Sequence, residues 1–257
     1  MGWSERFKQF ASLDREDSAM FVMRNAATAF WPIFFFAVCH AHAAFVPVDF
    51  PKTNNIQTGL IKEFPTGTFV TTNSFATPFV INSNSSGDNY YDGGGQLNIS
   101  ADVFGATNVY TLINAYAPPA GAQLATVEFI GSGGADETFT LVNGVDVRDF
   151  YQGVFANTIN GTTTQNAFSV SGVQDAGGTG NVNTGDVGTY LVDEQDFSLM
   201  PAFETQTLTE IVLTDLNGGG TPILLGVTAA VPEPTTFSIL MLTSTWLVFR
   251  SRPHPNH

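Results

Sequence analysis

Leu124 to Ile130 reads LATVEFI, Gly131 to Gly134 reads GSGG, and Glu137 to Val142 reads ETFTLV. Val127 and Phe129 fall on one face of the first run, Phe139 and Leu141 on one face of the second. A period of two marks a strand with one face buried, and two such runs around a glycine turn predict a β-hairpin. Asn143-Gly144 offers a second tight turn directly behind it. Working outward, the same pattern recurs. Thr68 to Thr72, Pro78 to Ile81, Leu97 to Phe104 and Val109 to Tyr116 precede the hairpin as strands. Ala167 to Val173, Val187 to Leu199, Thr207 to Thr214 (Ile211 and Leu213 inward) and Ile223 to Ala229 follow it. Polar stretches separate them, chiefly Asn82 to Gly95, Asn157 to Gln165 and Asp175 to Gly185. No convincing helical periodicity interrupts the series. About ten to twelve short strands at roughly ten-residue spacing predict an all-β sandwich.

The two ends of the chain read differently from this middle. Residues 1 to 22 are mixed polar and charged. Then Met23-Arg24-Asn25 leads into an apolar run, Ala26 to Val38, and on to Ala41-His42-Ala43. A short positive region, an apolar region and a small-x-small site are the three parts of a secretory signal, with cleavage expected after Ala43. Met20 or Met23 would make a more compact signal than Met1. A retained anchor fits less well, because Pro32 interrupts the short run. Cys39 is preceded by Ala37-Val38, a poor lipidation site, and the mature chain then has no cysteine.

At the other end, Val231-Pro232-Glu233-Pro234 is followed by a 15-residue apolar run, Thr235 to Phe249, then Arg250, Ser251 and Arg252. The prolines make the triplet stiff and extended. The two arginines would stay cytoplasmic under the positive-inside rule. These residues resemble the PEP-CTERM sorting signal of exported bacterial proteins. The resemblance implies recognition of Pro232, Glu233 and Pro234 by an exosortase, a membrane-embedded sorting protease. Arg250 and Arg252 would be the basic end. Two features depart from the pattern: the apolar run is shorter than the ~20 residues of a spanning helix, and the basic cluster is only two arginines. The expected organisation is therefore an extension and signal over 1–43, a β-sandwich ectodomain over 44–230 and a sorting tail over 231–257. A signal helix and an apolar helix would flank the sandwich.

Between these ends, Lys52, Lys62 and Arg148 are the only basic residues against 18 acidic ones. Such a surface repels nucleic-acid phosphates and anionic lipids. All four histidines (His40, His42, His254, His257) and all three tryptophans (Trp3, Trp31, Trp246) lie outside the ectodomain. Without His or Cys it cannot build a Ser-His-Asp triad, a Cys-His pair or an ordinary zinc site. Paired carboxylates could hydrolyse glycosidic bonds, but no spacing singles out a pair, so the expectation is no enzyme.

VEFIGSGG with ETFTLVNGVDVRDF, TYLVDEQDFSL, and TLTEIVLTD with TPILLGVTA resemble galactose-binding-like jelly rolls often found in exported PEP-CTERM proteins. The resemblance spans roughly Gly93 to Ala229 and implies a jelly-roll-like sandwich. Many such domains bind sugars, while others only build surfaces. Three features are candidates for function. Asp88, Tyr90, Tyr91 and Asp92 place aromatic faces beside carboxylates, a combination that can stack on and hydrogen-bond sugars; the plain alternative is a solvated loop. Asp186, Asp193, Glu194 and Asp196 form an oxygen cluster of a kind that suits Ca2+; the alternative is a charged strand surface. The third is Arg148-Asp149: Arg148, the only arginine of the ectodomain, is expected to pair internally with one of its many acids, and the alternative is a ligand contact. The reading is a non-enzymatic protein exported to the cell surface or extracellular matrix, associated with exopolysaccharide. The alternative is a carbohydrate-binding module with a specific glycan.

Overall fold

The computed structural model describes residues 43–53, 66–151, 155–174 and 187–233. The chain divides into Met1–Cys39 and His40–His257, and the described residues belong to the second unit. The expected signal helix and apolar tail helix, with Ala41, Pro234, Arg250 and Arg252, lie outside the described residues, as does Asp186. Among the described residues no helix is long and apolar enough to cross a membrane.

The described chain is all-β. Its strands are β1 (Ala43–Val48), β2 (Gly67–Val70), β3 (Pro78–Ile81), β4 (Tyr91–Asp92), β5 (Gln96–Phe104), β6 (Asn108–Tyr116), β7 (Gln123–Gly131), β8 (Asp136–Val142), β9 (Thr164–Gln174), β10 (Val187–Ser198), β11 (Thr207–Asp215) and β12 (Thr221–Pro232). A 3₁₀ turn, Pro201–Thr205, sits before β11. The larger sheet runs β1-β12-β6-β10-β9, with β4 also paired to β12, and the smaller runs β5-β11-β7-β8. These pairings are antiparallel.

The predicted hairpin is β7–β8, with Val127 opposite Phe139. Its glycine turn is closed by the Gly134 N–H donating to Gly131 O at 3.1 Å. The Gln206 side chain accepts from the N–H groups of Gly133 (2.8 Å) and Ala135 (3.1 Å). A Cβ at Gly133 would lie 2.7 Å from Gln206 Cδ, so a larger residue there would have to displace the Gln206 side chain. Val127, Phe129 and Leu141 are buried between the sheets with Val109, Ile113, Ile211 and Leu213. Burying each large apolar side chain contributes about 1.5–3 kcal/mol.

A third layer was not foreseen. The β2–β3 hairpin lies on the outer face of the larger sheet, where Phe79, Ile81, Leu112, Tyr190 and Leu225 form a second apolar cluster. Gly226 lets it approach: a Cβ there would sit 3.0 Å from Phe79 Cδ1 and 3.2 Å from Leu112 Cδ1. The middle of the larger sheet is thus buried on both faces. Asp193 and Glu194 are both fully buried, so the alternative reading of them as a charged strand surface does not hold.

Both ends of the described chain meet on one sheet edge. No strand is expected from the sequence over β1, yet Ala43 pairs with Pro232 and Ala44 with Val231. The sandwich therefore includes two residues beyond the expected boundary at 230.

Candidate functional site

Tyr90 and Tyr91 are 5% and 8% exposed. Tyr90 belongs to the outer cluster and Tyr91 to the inter-sheet core. Burial, and then Asp92 and Asp88, push the Tyr90 phenol far above its usual range. Asp88 is folded into a local turn, receiving the Asn84 side-chain amide at 2.9 Å. Asp92 pairs within β4 against Ile223 of β12. The loop thus points its aromatic rings inward to anchor β4, and no stacking face is offered there.

Asp193, Glu194 and Asp196 are not brought together either. Asp193 faces inward and takes Arg148 in a two-pronged pair, Nε to Oδ2 at 2.8 Å and NH2 to Oδ1 at 2.7 Å. The Asn114 amide donates to it at 2.9 Å and the Asn166 amide at 3.3 Å. Glu194 and Asp196 lie on the opposite face. Among the described residues no three His, Cys, Asp or Glu side chains converge as a metal would need. Arg148 therefore pairs internally, and the acid it takes is Asp193. Asp149 is separately buried, 3% exposed, with its Oδ1 accepting from the Tyr151 N–H at 3.2 Å.

What the fold does assemble is a row that no single stretch of sequence contains. Residues directly opposite on neighbouring antiparallel strands share a face. One row across the outer face of the larger sheet is Phe45, Ala230, Asn108 and Ser198. The next is Pro47, Thr228, Tyr110 and Asp196, and the third includes Gly226, Leu112 and Glu194. The β2–β3 hairpin covers the third row and leaves the first two partly open. Tyr110 is flanked by Phe45, ring centroids 6.1 Å apart, and by Phe75, 5.8 Å apart. All three rings are half-buried.

Beside them, the Asn108 amide donates to Asp196 Oδ1 at 2.8 Å and to Ser198 Oγ at 3.1 Å. Burial, then Asp196 and Glu194, push Tyr110 up to about 12, so its hydroxyl stays a neutral donor. Burial raises the Asp196 carboxyl above the usual range against the opposing Asn108 hydrogen bond.

Phe75 is held in place by the loop joining β2 to β3. Asn73 Oδ1 accepts from the Phe75 N–H at 3.1 Å and the Ala76 N–H at 3.4 Å. Its amide donates to Glu194 Oε2 at 2.7 Å. Ser74 Oγ donates to Gln165 Oε1 at 2.8 Å. Burial raises the Glu194 carboxyl, and the Asn73 hydrogen bond opposes it. Glu194 is thus the buried anchor of an aromatic-bearing loop.

Chemically, the patch combines apolar ring faces with a carboxylate, an amide and two hydroxyls. Sequence reading missed Phe45, Phe75, Asn108 and Tyr110. The i, i+2 pairs Asn108/Tyr110 and Asp196/Ser198 carry the polar half of the signal, but only the β6–β10 register joins them.

No protein-family model matches the chain, and no curated protein does. Among solved structures it is similar to the N-terminal endo-1,4-β-D-xylanase 10B of Clostridium thermocellum, its CBM22-1–GH10 modules complexed with xylohexaose. Identity is 11%, over 73% of this chain and 29% of that chain, with a TM-score of 0.24. The chain thus spans under a third of that protein, and a likeness of this degree transfers neither fold nor ligand.

Proposed function

We propose that the chain is an exported, non-enzymatic jelly-roll protein that holds neutral extracellular polysaccharide on the Phe45–Tyr110–Phe75 row. The observation that carries this reading is the row itself: three half-buried rings on the face that also carries Asp196, Asn108 and Ser198. Ring faces pack against the apolar face of a sugar, while a carboxylate and an amide fix its hydroxyls. The net charge of −14 disfavours anionic glycans. The jelly-roll reading is supported by the strand order. With β9 and the short β2, β3 and β4 set aside, the sheets run β1-β12-β6-β10 and β5-β11-β7-β8, and successive strands cross between sheets except at the β7–β8 hairpin.

In the same proposal the export machinery removes the leader after Ala43. The Thr235–Phe249 run holds the chain in the membrane, and an exosortase-like protease reads Pro232-Glu233-Pro234. Supporting this, Pro232 and Glu233 are exposed where β12 leaves the sandwich. The destination is the cell surface or extracellular matrix.

Migration of the full chain through native gels containing exopolysaccharide from the source cells tests the binding half. Tyr110→Ala is expected to weaken retention roughly tenfold or more, as loss of a central aromatic anchor does, with unfolding temperature little changed. Retention equal to the parent's would sink the assignment. Intact mass from the source cells tests the address. A product spanning Ala44 to the Pro232–Pro234 region is expected, and a chain keeping Thr235–His257 in the membrane refutes processing.

A further inference from the structure

The geometry points to a second saccharide site, a groove that shares no residue with the aromatic row and takes an uncharged, polyhydroxylated chain. Three separate stretches build it: Asp49 to Lys52 after β1, Asn82 to Asn84 after β3, and Asn98 with Ser100 on β5. They border an open groove of about 620 Å³, within the range of ordinary ligand sites.

The frame is fixed from within. Lys52 Nζ lies 3.0 Å from the Phe50 ring centroid and donates to Phe50 O at 3.0 Å and Asp49 Oδ1 at 3.3 Å. Its side chain is 5% exposed. Asn84 stitches the β3 wall to this floor by donating to Lys52 O at 3.2 Å, while its own oxygen accepts from the Ser86 and Asp88 N–H groups, each at 2.9 Å. The Thr53 N–H donates to Tyr90 O at 3.0 Å, tying the same segment to the sandwich. A site organised before binding costs little ordering entropy.

Among the described residues the remaining groups have no committed partner. Asn82, Ser83, Asn98 and Ser100 are exposed, and their side chains make no hydrogen bond to any described residue. Amides and hydroxyls both donate and accept, and so does a sugar hydroxyl. A phosphate or carboxylate ligand only accepts and would meet Asp49, whose side chain is 76% exposed. A planar aromatic ligand would need a ring face, and Lys52 covers that of Phe50. The chemistry that fits all of these groups at once is a neutral glycan chain.

With the aromatic row this makes the protein bivalent, able to bridge polysaccharide strands. The bivalence rests on the reading above, whereas the groove does not. The test is calorimetric titration of the full chain with neutral hexasaccharides of β-1,4-glucan, β-1,3-glucan and β-1,4-mannan. Comparison is with Tyr110→Ala and with the double variant Asn98→Ala/Ser100→Ala, whose positions lie on an exposed strand face. Two sites in the parent, falling to one in either variant, are expected. One site that is lost in Tyr110→Ala and untouched in the double variant overturns the groove and leaves the aromatic row standing. One site lost only in the double variant does the reverse. No heat with any hexasaccharide overturns both.

Discussion

Replacing Asp149 with Asn should remove most of an acid-side gain in stability. Asp149 is 3% exposed, and the one nearby guanidinium, that of Arg148, is committed to Asp193. Burial pushes its carboxyl from 3.8 up to about 6, against backbone N–H donation from Tyr151, Ala117 and Phe150. The folded pKa lies above the unfolded one, so the native state holds the proton longer. Stability is therefore full below pH ~4 and is lost as pH rises through about 6. A displacement of about two pKa units corresponds to ~3 kcal/mol, or roughly 6–12 °C in unfolding temperature for a domain of this size. Glu194 and Asp196 are displaced upward as well and add slope of the same sign. Asp149→Asn mimics the protonated side chain and keeps an acceptor for the Tyr151 N–H. It should match the parent near pH 3.5 and exceed it by up to ~3 kcal/mol at pH 8. Near-ultraviolet circular dichroism melts of the full chain in mild detergent, between pH 3.5 and 8, read the difference. Parallel profiles for parent and variant from pH 4 to 6.5 would refute the reasoning.

Two further outcomes follow from the interior. Arg148→Met leaves the Asp193 carboxylate buried without its cation and should cost about 3–5 kcal/mol. Changing both partners, Arg148→Met with Asp193→Leu, should recover much of that loss in urea unfolding, and a double variant no better than the single would count against the pair. Gly226→Ala places a methyl group against Phe79 and Leu112 and should cost about 1–3 kcal/mol. Limited proteolysis within the Thr71–Thr77 loop should accelerate in this variant, because the hairpin that carries the loop loses its seat.

Much of the sandwich is legible because a strand with one buried face writes its environment into alternating residues. β7, β8 and β11 are such strands: Val127, Phe129, Ile211 and Leu213 point inward as their period predicts. β10 is less legible. It lies between β6 and β9 under a third layer, so neighbours of every polarity are buried, and a run such as Val-Asp-Glu-Gln-Asp loses its usual meaning. Its polar side chains replace pairing that the sheet gives up. Gln195 accepts from the Ile113 N–H at 2.9 Å and donates to Ile113 O at 2.8 Å, a side chain standing in for a strand rung. β1 was illegible because its proline and small residues pair only with the distant end of β12.

The same physics explains why the aromatic row escaped sequence reading while Tyr90-Tyr91 attracted it. Adjacent tyrosines in a polar loop look like a binding platform, but consecutive residues point to opposite sides once the chain extends. Here one ring enters each core. A platform on a sheet is built across strands, and its members are as far apart in sequence as Phe45, Phe75 and Tyr110. Two constraints keep that platform open. The β2–β3 hairpin must cover Leu112 and Gly226 yet stop short of Tyr110, and the loop that ends it is held by buried Glu194 through Asn73. Burying a carboxylate costs free energy that an apolar residue would not. A fully hydrophobic residue at 194 would pack the sheet as well, but could not receive the Asn73 amide that sets Phe75 beside Tyr110.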